Sequence, residues 1–165
     1  MMDIVLVHPG ATHGIYGTDL AKSLVAVEQP LWPRLIAGAL MNRNFTVDII
    51  DAEAENLSSD DAAIRVSNLS PRLVGIVVSG HQPSASTQQM IGASAIAERI
   101  KLIWPESKVV MLGNHPSALP ERTLREECVD FVCDGEGPMT LAGLLDGDPL
   151  SEIPGLVWWN GKTIC

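Results

Sequence analysis

Aromatic side chains are scarce in this chain: four Trp, two Phe and one Tyr make up 4% of its 165 residues. Cysteine is scarcer still. Cys128, Cys133 and Cys165 are odd in number and sparsely spaced, which argues against a disulfide framework and makes a reducing cytoplasm the default setting. Basic residues are outnumbered, 11 Lys and Arg against 20 Asp and Glu, for a net charge of -9. Nucleic acids and anionic membrane surfaces are recognised by clustered positive charge, so neither is expected as a partner; the acidic balance serves solubility. Long apolar runs are missing too, and no stretch reaches the ~18 residues of a membrane span. The opening MMDIVLV puts an acid ahead of its apolar run and has no basic segment. It reads as a first strand, not as a signal peptide.

Several motifs are absent as well. The phosphate-gripping G-x-x-x-x-G-K-[ST] does not occur. Gly10, Gly14 and Gly17 are wrongly spaced for G-x-G-x-x-G. An FMN site stays open, although the first loop has no hydroxyl-rich phosphate cradle. His8, His13, His81 and His115 form no H-x-x-H or H-E-x-x-H pair, so their spacing does not point to a metal. Cys128 and Cys133 are expected as buried small apolar residues. Ser79 has no glycine two positions before it, as a G-x-S-x-G nucleophile elbow requires.

What the chain does have is 46% hydrophobic residues, length for one domain with a sizeable core, and a strand–helix rhythm. DIVLVH (3–8), FTVDIIDA (45–52), LVGIVVSG (73–80), KVVMLG (108–113) and VDFVC (129–133) suit strands, the first of them buried on both faces. A long Gly-rich loop, 9–30, follows the first strand; such loops are usually functional or disordered. Helical spacing begins at Leu31, with Leu35, Ile36, Ala39 and Leu40 on one side and Pro33 in the first turn. A second helix is capped at Ser58 or Ser59 and lined by Ile64, Val66 and Leu69. A third runs from about Ser86 to Trp104, lined by Met90, Ile91, Ala95, Ile100 and Ile103. Pro120 opens a short helix, and Gly147 closes the last one. LVWWNGKTI (156–164) reads as a hairpin turning at Asn160-Gly161. Strands separated by helices pair in parallel through right-handed crossovers. The expected fold is therefore α/β: a flavodoxin-like (Rossmann-like) doubly wound five-stranded parallel sheet, strand order 2-1-3-4-5, with a C-terminal β-hairpin.

Such a sheet binds ligands beyond the carboxyl ends of its strands, where the strand order reverses. Four loops should share that rim, each rich in Gly, Pro, Ser and His. The first supplies Pro9 and Gly10. The loop after the third strand, SGHQPSAST, supplies Ser79, Gly80, His81, Gln82, Ser84 and Thr87. GNHPSALPE supplies Gly113, Asn114, His115 and Pro116, and DGEGP supplies Gly135, Glu136 and Gly137. Glycines allow close backbone approach, and small hydroxyls offer adaptable hydrogen bonds.

Laid out in this order, the chain resembles the N-terminal cobalamin-binding domain of cobalamin-dependent radical S-adenosylmethionine (SAM) enzymes. The resemblance covers essentially the whole chain. Its most specific pieces are GNHPSALPE and DFVCDGEG, which look like that family's G-G-x-H-x-[ST]-x-x-P-E and D-x-x-x-x-G-E-G. The resemblance implies that the nucleotide tail of cobalamin enters the sheet rim with the corrin above it. Ser79 matches the serine of the S-x-L motif that holds the tail, with His81 in place of its leucine. Gly113 matches the first glycine of the G-G pair, and Asn114 stands at the second. Gly135, Glu136 and Gly137 match G-E-G, near the nucleotide end. The D-x-H-x-x-G of methionine-synthase-like domains is missing, so the resemblance implies base-off binding without the usual histidine ligand. His13 stays an alternative lower ligand.

The resemblance also divides the chain: residues 1–150 as the cobalamin-binding domain, and 151–165 as a hairpin leading to a radical SAM domain that is absent here. The C-x-x-x-C-x-x-C cluster motif does not occur, so SAM and a 4Fe-4S cluster are expected only in that missing part of the same longer chain. The expected function is the cobalamin-binding module of a cytoplasmic radical SAM enzyme, a methyltransferase. Whether the chain is itself an enzyme is left undecided. The alternative is a doubly wound domain that binds another nucleotide-like ligand or serves as a protein-interaction module. A cobalamin site predicts a channel between the strand ends lined by Ser79, Gly113 and Gly135, whereas an interaction module predicts a broad exposed apolar patch.

Overall fold

A computed structural model describes residues 2–10, 29–80 and 83–165, with Pro83 and Ser84 described by backbone alone. Five strands pair in parallel: β1 (Ile4–His8), β2 (Val47–Asp51), β3 (Leu73–Val78), β4 (Val109–Gly113) and β5 (Phe131–Cys133). Their order is β2-β1-β3-β4-β5, as the alternation of strands and helices predicts. The C-terminal hairpin continues the sheet: β6 (Leu156–Asn160) adds antiparallel to β5, and β7 (Thr163–Ile164) to β6.

Helices cover both faces, which is why β1 and β3 are buried along their whole length. Alternate side chains serve opposite cores. Val5, Val7, Ile76 and Val78 pack with Val66 of α2 (Ser59–Leu69) and with Ala93, Ala97 and Ile100 of α3 (Pro83–Ile103). Ile4, Leu6, Leu73 and Val77 pack with Ile36 and Leu40 of α1 (Leu31–Met41). Leu141 and Leu145 of α6 (Pro138–Asp146) complete that second core. Each fully buried Leu or Ile contributes about 1.5–3 kcal/mol. Between β4 and β5 stand two short helices, α4 (Asn114–Ala118) and α5 (Pro120–Glu126).

The ends of the helices are written locally. Ser58 caps α2 by accepting the Asp61 N–H at 3.1 Å, and Asp60 and Asp61 face the positive end of its dipole. Gly147 ends α6 with φ +80°.

Several details differ from the sequence reading. α3 starts at Pro83, not near Ser86, and GNHPSALPE is not all loop, because Asn114–Ala118 is helical. Of the expected helix linings, Ile36, Leu40, Val66 and Ile100 are buried, but other members are not. Leu31 and Leu35 of α1, Ile64 of α2, and Ile91 and Ile103 of α3 are exposed. The inward positions are Ile36, Ala37 and Leu40, then Ala62, Ala63 and Val66, then Ala93, Ile96, Ala97 and Ile100. Alanine there lets a helix lie close to the sheet. Cys133 is buried as expected, but Cys128, just past α5, is exposed. In the hairpin, Asn160 pairs with Thr163, so the turn residues are Gly161 and Lys162. Gly161 alone takes a positive φ, +63°, the pattern of a turn with Gly at its first central position. Trp158 is half-buried, whereas exposed Trp159 lies under the Arg125 guanidinium, 5.6 Å from its ring centre.

Candidate functional site

The parallel strands all point their carboxyl ends at one edge, and a cavity of about 360 Å³ opens there. Its floor and one wall are apolar: Val77 of β3, Leu112 of β4, and Trp32 and Ile36 of α1. Ser79, Gly113, Asn114, Ser117, Ala118, Gly135 and Glu136 complete the lining. Five expected site residues therefore meet in one cavity: Ser79, Gly113, Asn114, Gly135 and Glu136. Ser79 is buried, with 8% of its surface exposed. Its hydroxyl has no hydrogen-bond partner among the described residues.

The two glycines of the lining do different work. Gly113 has φ +121°, and a Cβ there would lie 2.1 Å from the Val78 carbonyl oxygen and 2.8 Å from Ser79 Oγ. Its missing side chain lets β4 approach β3. Gly135 has φ +127° and nothing within 4 Å of where a Cβ would stand. That is the place where a ligand can come against bare backbone. The spacing to His115 and Ser117 also corrects the motif register. Counted back from His115, Leu112 stands at the first glycine of G-G-x-H, Gly113 at the second, and Asn114 at the variable position.

Two serines outside the expected set stitch the rim loops together. Ser86, fully buried in the first turn of α3, donates to the Val78 carbonyl at 2.6 Å and accepts the His115 N–H at 2.9 Å. It ties the end of β3 to α4. Ser117 accepts the Gly135 N–H at 2.8 Å and donates to Asp134 Oδ1 at 3.1 Å, tying α4 to the loop after β5. The [ST] position of the quoted motif was a signal for Ser117. Ser86 had none, because its partners lie far from it in sequence.

The other expected residues that the structure describes are not in the lining of this cavity. Thr87 Oγ1 and His115 Nδ1 share a hydrogen bond of 3.0 Å on the α3 side of the rim. Pro116 and Gly137 are buried, and a Cβ on Gly137 would meet Leu112 Cδ1 at 2.5 Å. Gly80 packs on Ala85. Pro9 is buried, and the Gly10 backbone abuts Glu53 and Gly92. His13, His81, Gln82 and the side chain of Ser84 lie outside the described residues. His8 Nε2 is 4.0 Å from Glu53 Oε2. No group of three or more His, Cys, Asp or Glu among the described residues is placed to hold a metal.

The cavity's size sits at the low end of the ~300–1,000 Å³ of small-molecule sites. A corrin macrocycle does not fit into it, whereas a bicyclic base with its ribose does. The Ser79 hydroxyl, the bare Gly135 backbone and the apolar floor suit such a tail.

An uncharacterised methyltransferase of Pyrococcus horikoshii is 33% identical over 169 residues, covering 99% of this chain and 34% of its own. Among solved structures, the radical SAM methyltransferase TsrM of Kitasatospora setae, with cobalamin and a [4Fe-4S] cluster bound, superposes with a TM-score of 0.73 at 19% identity. That match covers 99% of this chain and 28% of TsrM. The cobalamin-dependent SAM radical enzyme OxsB, with aqua-cobalamin and SAM bound, gives 0.70 at 17% identity, over 100% of this chain and 22% of its own. These structural likenesses concern the fold. The chain spans about a third or less of the length of the curated relatives it matches. The family model of the B12 binding domain matches residues 17–145, and the chain belongs to that family.

Proposed function

We propose that this chain holds cobalamin base-off, with the nucleotide tail in the cavity and the corrin over the rim loops. The observation that carries the reading is the meeting of Ser79, Gly113 and Gly135 around one cavity at the strand ends. Ser79 offers its free hydroxyl to the tail. Gly135 gives the tail a backbone surface without a side chain. Asn114 and Glu136 supply polar groups at the mouth. Ser86 and Ser117 hold the loops in place before the ligand arrives, so less ordering is required on binding. The cofactor, when bound, supplies a cobalt centre able to carry a methyl group.

In this reading residues 1–150 are the cofactor-holding part, and 151–165 lead to a radical SAM domain of the same longer chain. That domain holds SAM and a 4Fe-4S cluster, and the whole acts as a methyltransferase. The greater length of the relatives and the printed name of the Pyrococcus protein support it. A cytoplasmic setting fits the three free cysteines. The net charge of -9 speaks against nucleic acid and anionic membranes, and among the described residues no helix is long and apolar enough to cross a membrane.

The test is a visible-absorption titration with hydroxocobalamin followed by desalting. Retained colour with a base-off spectrum is the expected result, abolished by Ser79→Trp, which fills the cavity. Complete loss of colour from the folded wild-type chain counts against the reading.

A further inference from the structure

We infer that the cavity chooses among cobamides by the base of their nucleotide tail, favouring a methylated benzimidazole over a purine; the inference rests on the cobalamin reading above. The basis is a gradient of polarity along the cavity. Val77 lies on β3 and Ser79 just past its end; both line the cavity, and two residues of extended chain put Val77 roughly 6–7 Å deeper. Val77 and Leu112 are each 1% exposed and belong to the apolar core beneath α1 and α6, together with Ile36. Leu112 is braced from behind by Gly137. Trp32, one turn before Ile36 on α1, adds an indole to the same wall. Among the described residues, the polar side chains of the lining other than Ser79 are Asn114, Ser117 and Glu136. All three come from segments beyond the strand ends, at the mouth.

A tail entering this cavity passes its phosphate and ribose by the polar mouth and its base by Ser79. The far edge of the base then meets Val77, Leu112 and Ile36. On dimethylbenzimidazole that edge carries two methyl groups. On adenine it carries ring nitrogens and an amine, which lose their water and meet only Val77, Leu112 and Ile36 among the described residues there. A polar group buried without a partner is penalised, and an apolar pocket separates such near-isosteres by about 10–100-fold.

The experiment measures the affinity of the 165-residue chain for three probes: cobalamin, the adenine-tailed cobamide, and cobinamide, which has no tail. Quenching of tryptophan emission reports binding. Each dissociation constant is corrected for the base-on fraction of the free cofactor, read from its spectrum. The expected order is cobalamin tightest, the adenine-tailed form about 10–100-fold weaker, and cobinamide weaker than cobalamin. Val77→Thr places a hydroxyl on the floor at nearly constant volume and should shrink the discrimination to a few-fold. Equal affinities for the two tailed cofactors overturn the selection while leaving the cobalamin reading intact. Cobinamide binding as tightly as cobalamin overturns the placement of the tail in the cavity. Binding of none of the three overturns the cobalamin reading and the inference with it.

Discussion

Replacing Gly113 with alanine should damage the fold far more than the same change at Gly135, although both residues sit on the rim and both have positive φ. The backbone term is shared. Holding a residue with a side chain near φ +121° or +127° costs on the order of 1–3 kcal/mol. The steric term is not shared. At Gly135 the new methyl group enters open space, whereas at Gly113 it would stand 2.1 Å from the Val78 oxygen and 2.5 Å from the Val78 carbonyl carbon. Those are backbone atoms, and β3 is fixed on its other side by β1. Relief requires β3 and β4 to separate where Val78 pairs with Gly113. Overpacking of this kind adds about 1–3 kcal/mol. Gly113→Ala should therefore lose about 2–6 kcal/mol from a total of about 5–15 kcal/mol. Its Tm should fall roughly 2–12 °C below that of Gly135→Ala. Urea unfolding followed by circular dichroism and by tryptophan emission gives both stabilities. Equal midpoints and slopes for the two variants would refute the steric argument. Gly135→Ala, still folded, should bind cobalamin more weakly than wild type, because its methyl group occupies the ligand's side of the rim.

Three further outcomes follow from single contacts. Ser86→Ala strands a buried carbonyl and a half-buried amide and should cost about 1–3 kcal/mol; an unchanged urea midpoint would show that the stitch between β3 and α4 is not needed. Burial pushes the Cys133 thiol above its usual pKa, and Thr140 Oγ1 lies 3.3 Å from its sulfur. Iodoacetamide should therefore label exposed Cys128 and Cys165 in the native chain and reach Cys133 only after denaturation, as peptide mass spectrometry can read. The Asp3 carboxylate accepts the Thr46 N–H and hydroxyl and pairs with Arg72, which lowers its pKa from 3.8 to about 2. A lowered pKa means stability that is present above pH 4 and is lost as pH falls through 2. Asp3→Asn should flatten that part of the Tm–pH curve, and a curve of unchanged slope would count against the assignment.

The order of elements was legible because each strand is a short apolar run closed by Gly, Pro or Ser and followed by helical spacing. The helix faces were less legible, for a physical reason. Sequence reading ranks positions by hydrophobicity, which favoured Leu31, Leu35, Ile91 and Ile103. The sheet instead took Ala37, Ala62, Ala93 and Ala97, since close approach rewards small side chains as much as large ones. The site divides along similar lines. Ser79, Gly135 and Glu136 could be read because the fold rule alone sends those loops to one edge. Gly113 could be found but not explained, since the atom that forbids a side chain there belongs to β3, more than thirty residues earlier. Ser86 makes the limit plainest: its two partners, the Val78 carbonyl and the His115 N–H, are backbone groups, and backbone groups leave no mark on the identity of the residues that carry them. A binding rim assembled from loops of different strands depends on such bonds for its shape, so the groups that meet a ligand can be read from sequence more readily than the groups that hold them still.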